Sequence, residues 1–167
     1  MEDNKTENIK RFSIEVVLVE PEIPQNTGNI ARTCAALGCK LHLIEPLGFS
    51  LTTQRLRRAG VDYWHLVEVK RYPDIETFFK MNSSGTFYFF TQKAQHCFYD
   101  TDFTFCGQVY FVFGKESTGL PDTITAQYPD QCLRIPMRPD MRSLNISNAV
   151  ALALYEAFRQ NHFPGLR

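Results

Sequence analysis

Apolar positions fall in short, unbroken blocks separated by polar loops, and a few blocks switch to helical spacing. Residues 14–19 are a continuous β-branched run, the pattern of a strand buried on both faces. Residues 20–29 carry Pro21, Pro24 and Gly28 and are expected to form an irregular loop, with Asn26 or Thr27 capping a helix over 30–37. Gly38 is the expected stop of that helix. Residues 40–45 predict a second strand, so the first part of the chain is a βαβ unit.

The same alternation continues. A basic helix is expected over 52–59, a strand over 63–69, a helix over 73–80 and a buried strand over 86–91. Polar residues 92–96 make a loop, and residues 109–113 an apolar strand that runs into Gly114. A short helix begins at Pro121. A last short strand around 134–137 stops at Pro136, which has no N–H to donate. Residues 138–143 are loop. The final helix has Ile146, Ala149, Val150, Ala153, Leu154 and Ala157 at helical spacing, with Asn145 as its cap. Strands alternating with helices predict an α/β protein with a mostly parallel sheet and helices on both faces.

Composition changes this picture little. The chain has 167 residues, long enough for one domain with a sizeable core. Residues 13–163 form that domain, behind a polar tail at 1–12. Net charge is zero, so nucleic acid binding must use a local basic patch. The densest is Arg55, Arg57 and Arg58. Five scattered cysteines fit reduced thiols in a cytoplasmic protein, and neither they nor the histidines show metal-ligand spacing. No apolar run reaches membrane-spanning length.

Three strands end in polar loops punctuated by Gly or Pro: after Val19, after Phe113 and after Ile135. Open α/β sheets bind ligands at carboxyl strand ends, so three such loops predict one site. Neither a Gly-x-Gly-x-x-Gly fingerprint nor a phosphate-binding Gly-Lys-Thr/Ser loop is present.

Those three loops resemble the ordered motifs of the SPOUT RNA methyltransferases. They read Glu20-Pro-x-Ile-Pro-x-Asn-Thr-Gly-Asn29-x-x-Arg32, then Phe113-Gly-x-Glu-x-x-Gly-Leu-Pro121, then Ile135-Pro-Met-x-Pro-x-x-Arg-Ser-Leu-Asn145-x-Ser-Asn148-Ala. The likeness is strongest to the single-domain TrmL/YibK type, tRNA (cytidine/uridine-2′-O-)-methyltransferases. It implies a C-terminal trefoil knot, an exception to unknotted topology. It implies S-adenosylmethionine as methyl donor, held by Phe90, Gly114, Ile135 and Ser143 with Leu144 close by. It implies a homodimer whose active site is completed across the interface, with the helix beginning at Asn145 in that interface. The implied substrate is the ribose 2′-hydroxyl of the wobble nucleotide at position 34 of tRNA. Arg32 matches the family's key residue. A guanidinium is a poor base, so the expected role is orienting the hydroxyl and stabilising negative charge. Asn26 and Asn29 would shape the loop around the ribose, and Glu20 and Glu116 would partner Arg32 or the substrate. Arg55, Arg58, Lys93, Arg138 and Arg142 would contact phosphates, with Tyr155 near the RNA. The alternatives are a relative acting on another RNA site and a non-catalytic RNA-binding relative.

Overall fold

The computed structural model describes residues 12–51, 61–104 and 107–167. Strands β1 (Ser13–Val19), β2 (Leu41–Ile44), β3 (Val69–Tyr72), β4 (Thr86–Phe90), β5 (His96–Cys97), β6 (Gln108–Phe113) and β7 (Cys132–Arg134) form one sheet. Their order is β3-β2-β1-β6-β4-β7-β5, and every pairing is parallel. The central strands β1 and β6 are apolar on both faces because helices cover both.

Helices α1 (Pro24–Leu37) and α4 (Ile146–Gln160) pack against each other on one face. They bury Ile30, Cys34, Val150 and Leu154 against Val16, Leu18 and Phe111. On the other face, α2 (Ile75–Met81) and α3 (Asp122–Thr125) cover Val17, Ile44, Phe89 and Val112. Within that second layer Glu15 and His42 are buried together. His42 Nε2 lies 2.6 Å from Glu15 Oε2 and its Nδ1 lies 3.0 Å from the Tyr72 hydroxyl, a polar staple across β1, β2 and β3.

Four expectations are corrected. First, α1 starts at Pro24, not after Asn29. Pro24 occupies a first-turn position, where a missing N–H costs nothing, and Gly28 lies inside the helix. Neither Asn26 nor Thr27 is its cap; the cap residue is Ile23, with no side-chain hydrogen bond. Second, residues 63–69 are not a strand. A 3₁₀ turn spans Val61–Leu66, and only Val69 enters β3. The inward residues Trp64 and Val67 are three apart, the repeat of a 3₁₀ turn. Third, residues 92–96 are not all loop, since β5 opens at His96 as a two-residue edge strand. Fourth, β7 ends at Arg134, upstream of the expected position, leaving Ile135 to line a cleft.

Other expectations stand. Gly38 closes α1 in the left-handed conformation, φ 71°. Asn145 caps α4, its side chain accepting from the Ser147 backbone N–H at 2.9 Å. The basic segment with Arg55, Arg57 and Arg58 lies outside the described residues.

Candidate active site

The carboxyl ends of β4, β6 and β7 open onto a cleft of about 550 Å³. Phe90, Phe113, Leu133 and Ile135 supply apolar walls. The 114–119 turn supplies one rim, and Arg142, Ser143 and Leu144 supply the opposite one. This size and mixture suit an organic ligand with an apolar body and a few polar ends.

The rim after β6 is a tight hairpin. Gly119 donates to the Lys115 carbonyl at 2.8 Å and itself has φ 73°. Gly114 is required by that turn: a Cβ there would sit 2.0 Å from the Gly119 carbonyl carbon. The close approach expected at Gly114 is therefore made by backbone, and it shapes that rim of the cleft.

Glu116 joins this turn to α1. Its carboxylate accepts from the backbone N–H groups of Glu22 (2.8 Å) and Ile23 (3.2 Å) and from Asn26 Nδ2 (3.1 Å). The first turn of α1 has no acidic residue of its own, so Glu116 supplies negative charge to the helix N-terminus from another loop. Asn26 Oδ1 accepts from Asn145 Nδ2 at 3.0 Å, and Asn145 Oδ1 caps α4. Glu116, Asn26 and Asn145 thus tie all three motif loops into one chain of hydrogen bonds. A second clasp runs the other way. Glu22 accepts from Ser117 N–H and Oγ–H, both at 2.9 Å, and these bonds hold its carboxyl below the usual carboxylate range.

Glu20 is also engaged. It accepts from Lys115 Nζ at 2.6 Å, and this bond raises the lysine pKa. Neither Glu20 nor Glu116 is hydrogen-bonded to Arg32, so that expected pairing is not formed.

Of the residues singled out from sequence, the cleft collects Asn26, Phe90, Lys93, Gly114, Glu116, Ile135, Arg142, Ser143 and Leu144. Lys93 is also paired with Asp122 at 2.7 Å. Arg138 is outside, paired with Asp140 at 2.9 Å. Asn29 and Arg32 lie on the exposed side of α1 and do not line the cleft. Arg32 instead stacks over the ring of Tyr63, 4.7 Å from its centroid. Tyr155 is exposed on α4. From sequence, Tyr63 belongs to the run Arg55-Leu-Arg-Arg-Ala-Gly60-x-Asp62-Tyr63 that also resembles the TrmL/YibK type, and Ser117 offers a loop hydroxyl, but neither they nor Lys115 had an assigned role. The stacking partner had no readable signal, because nothing in a strand reading of 63–69 aims Tyr63 at α1.

Fold and cleft together define a parallel α/β protein with a cleft suited to an organic ligand at the carboxyl ends of its strands. Its motif loops make it more specific than that. Residues 13–155 match the SpoU rRNA Methylase family, and the chain belongs to that family. A tRNA (cytidine(34)-2′-O)-methyltransferase of Acidovorax sp. (strain JS42) is 48% identical over 160 residues, covering 89% of this chain and 92% of the relative. One of the same name from Burkholderia cenocepacia (strain HI2424) is 46% identical, covering 90% and 97%. A solved structure described as "Structural insights into the 2-OH methylation of C/U34 on tRNA" superposes with a TM-score of 0.83 at 42% identity, covering 90% of this chain and 97% of that one. Among the described residues no helix is long and apolar enough to cross a membrane.

Proposed function

We propose that the protein transfers a methyl group from S-adenosylmethionine to the ribose 2′-hydroxyl of nucleotide 34 in the tRNA anticodon loop. One observation carries this: the three family motifs converge on a single cleft, in a chain 46–48% identical along most of its length to enzymes named for that reaction.

The cleft residues fit the methyl donor. Phe90, Phe113 and Ile135 offer apolar surface to a purine, and the strand-end backbone can read its edge. Ser143 and Leu144 flank the ligand from the other rim. When bound, S-adenosylmethionine would supply a methyl group activated by its sulfonium and leave as the neutral thioether S-adenosylhomocysteine, the hydroxyl proton passing to solvent. The chain's own part is to hold the ribose oxygen in line and to accommodate the charge it develops. Arg32 is the residue assigned to that charge, with Asn29 one turn before it on the same exposed side of α1. Asn26 and Glu116 line the cleft while their hydrogen bonds hold the motif loops together, so they are assigned to positioning those loops. Arg142, Lys93 and the 55–58 cluster are assigned to RNA phosphates, with Arg138 and Tyr155 beside them.

Arg32 lies outside its own chain's cleft, and this supports a homodimer. Gln25, Asn29, Arg32 and Ala36 make one exposed stripe of α1, which packs against α4 with exposed Leu152 and Tyr155. A second copy docked on this α1–α4 surface brings an Arg32 to the neighbouring cleft. The knotted threading of residues 135–160 belongs to the same reading, supported by β7 lying between β4 and β5 and by the Asn26–Asn145 bond.

The test is methyl transfer from labelled S-adenosylmethionine to unmethylated tRNA, with the label mapped by nuclease digestion and mass spectrometry. Label at the 2′-oxygen of nucleotide 34 is expected, and Arg32→Ala is expected to lower the rate at least about a hundredfold while donor binding persists. Label elsewhere in tRNA, or a variant at wild-type rate, would overturn the substrate or the residue assignment respectively.

A further inference from the structure

The contact between Arg32 and Tyr63 has no place in the reaction as so far described. Tyr63 sits on the 3₁₀ turn Val61–Leu66, which packs against α1. Tyr63 is 38% exposed, so burial in the core does not explain its place. The guanidinium lies 4.7 Å from the ring centroid. Among the described residues no carboxylate forms an ion pair with Arg32. The acidic residues of the first two motif loops are occupied, Glu20 by Lys115, Glu22 by Ser117 and Glu116 by α1's N-terminus.

The manner of holding matters. A carboxylate grips a guanidinium by its in-plane N–H edge, the same edge that recognises phosphate and oxyanion. A partner of that kind would compete with RNA for the donors. An aromatic face attracts the cation through its quadrupole and leaves the in-plane edge unused. It also limits the rotamers of a long, exposed side chain, which lowers the cost of orienting the guanidinium toward the transition state.

We propose that Tyr63 is a positioning residue that holds the Arg32 guanidinium by its face and leaves the N–H edge available to the tRNA ribose and phosphate. The inference rests on the role assigned to Arg32 above. In sequence, Tyr63 follows Arg55, Arg57 and Arg58 within a few residues. One segment of chain therefore carries both the cations assigned to phosphates and the ring that orients Arg32.

Two measurements test this. In the first, the Arg32 Nε–Hε resonance of the wild-type protein is expected upfield of an ordinary arginine through the ring current. The shift persists in Tyr63→Phe and disappears in Tyr63→Leu. In the second, steady-state kinetics with tRNA are run on the same variants, with donor binding measured by calorimetry as the check on folding. Tyr63→Leu is expected to lower kcat about tenfold with KM unchanged, the size expected of a stacking contact partly shielded by bound RNA. Tyr63→Phe restores kcat. No ring-current shift in the wild type would overturn the proposal without any appeal to activity. So would wild-type kcat in Tyr63→Leu, or a loss confined to KM, which would make Tyr63 an RNA-stacking platform. A Phe variant as impaired as Leu would also overturn it, assigning the role to the hydroxyl. Should Arg32→Ala keep the wild-type rate while the ring-current shift stands, the functional assignment of Arg32 fails and the stack does not.

Discussion

Glu116 lines the cleft and also holds its walls together. It satisfies two backbone N–H groups at the start of α1 and one amide of Asn26. Glu116→Ala removes a charged acceptor from three donors at once. The expected loss is about 2 kcal/mol of unfolding free energy in urea, the scale of hydrogen bonds to charged groups in partly buried positions. A variant with unchanged urea midpoint would show that water replaces the carboxylate. The sequence carried Glu116 as a motif position but not its role. Its partners lie 90 to 94 residues away, and no local pattern reports such a pairing. Arg32 was legible as a site residue, but its contact with Tyr63 was not. Arg32 matches a position with an expected role, whereas Tyr63 closes a family-like run with none, in a turn whose apolar residues imitate a strand.

Elements follow the apolar pattern closely where they are long. Strands β1, β4 and β6 and helix α4 are nearly where the periodicity puts them, because both-face burial and helical spacing leave little freedom. Misreadings fall where a proline or a short length breaks the pattern. Pro24 looks like loop punctuation yet starts α1, and β5 is two residues long. The turn after β6 is set by backbone contact rather than by side chains. Gly114→Ala must push Gly119 aside. The expected cost is about 2 to 3 kcal/mol from overpacking, with weakened donor binding in calorimetry because that rim of the cleft moves. Helix α4 offers a pH test. Hydrogen bonds from Arg159 and Gln160 lower the Glu156 pKa from 4.5 to about 2. Its folded value lies below its unfolded one, so its stabilising contribution is complete above about pH 4.5 and is lost as pH falls toward 2. Thermal unfolding between these limits is expected to show a shallower acid dependence in Glu156→Gln. An unchanged slope would place the acid sensitivity on other carboxylates.

The whole molecule has a formal net charge of zero, so any RNA affinity resides in local patches. Surface pairs such as Lys93–Asp122 are weak enough to reopen for a phosphate. The α1–α4 surface is the other global feature, and it predicts assembly. In sedimentation the wild-type chain is expected as a dimer and Leu152→Glu as a monomer with depressed methyl transfer but an unfolded fraction no larger than wild type. A fully active monomer would disprove the shared site.

The hydrogen bonds joining Glu116, Asn26 and Asn145 also order events in time. All seven strands are complete by Arg134, yet Asn145 and the helix that covers one sheet face come afterwards. A chain emerging from the ribosome can therefore pair its sheet before it can close its cleft. Contacts spanning 119 residues belong to the slow class of folding steps. Until α4 arrives, Val16, Leu18 and Phe111 lack part of their cover, and that interval is when a nascent copy is most exposed to aggregation and most in need of a chaperone.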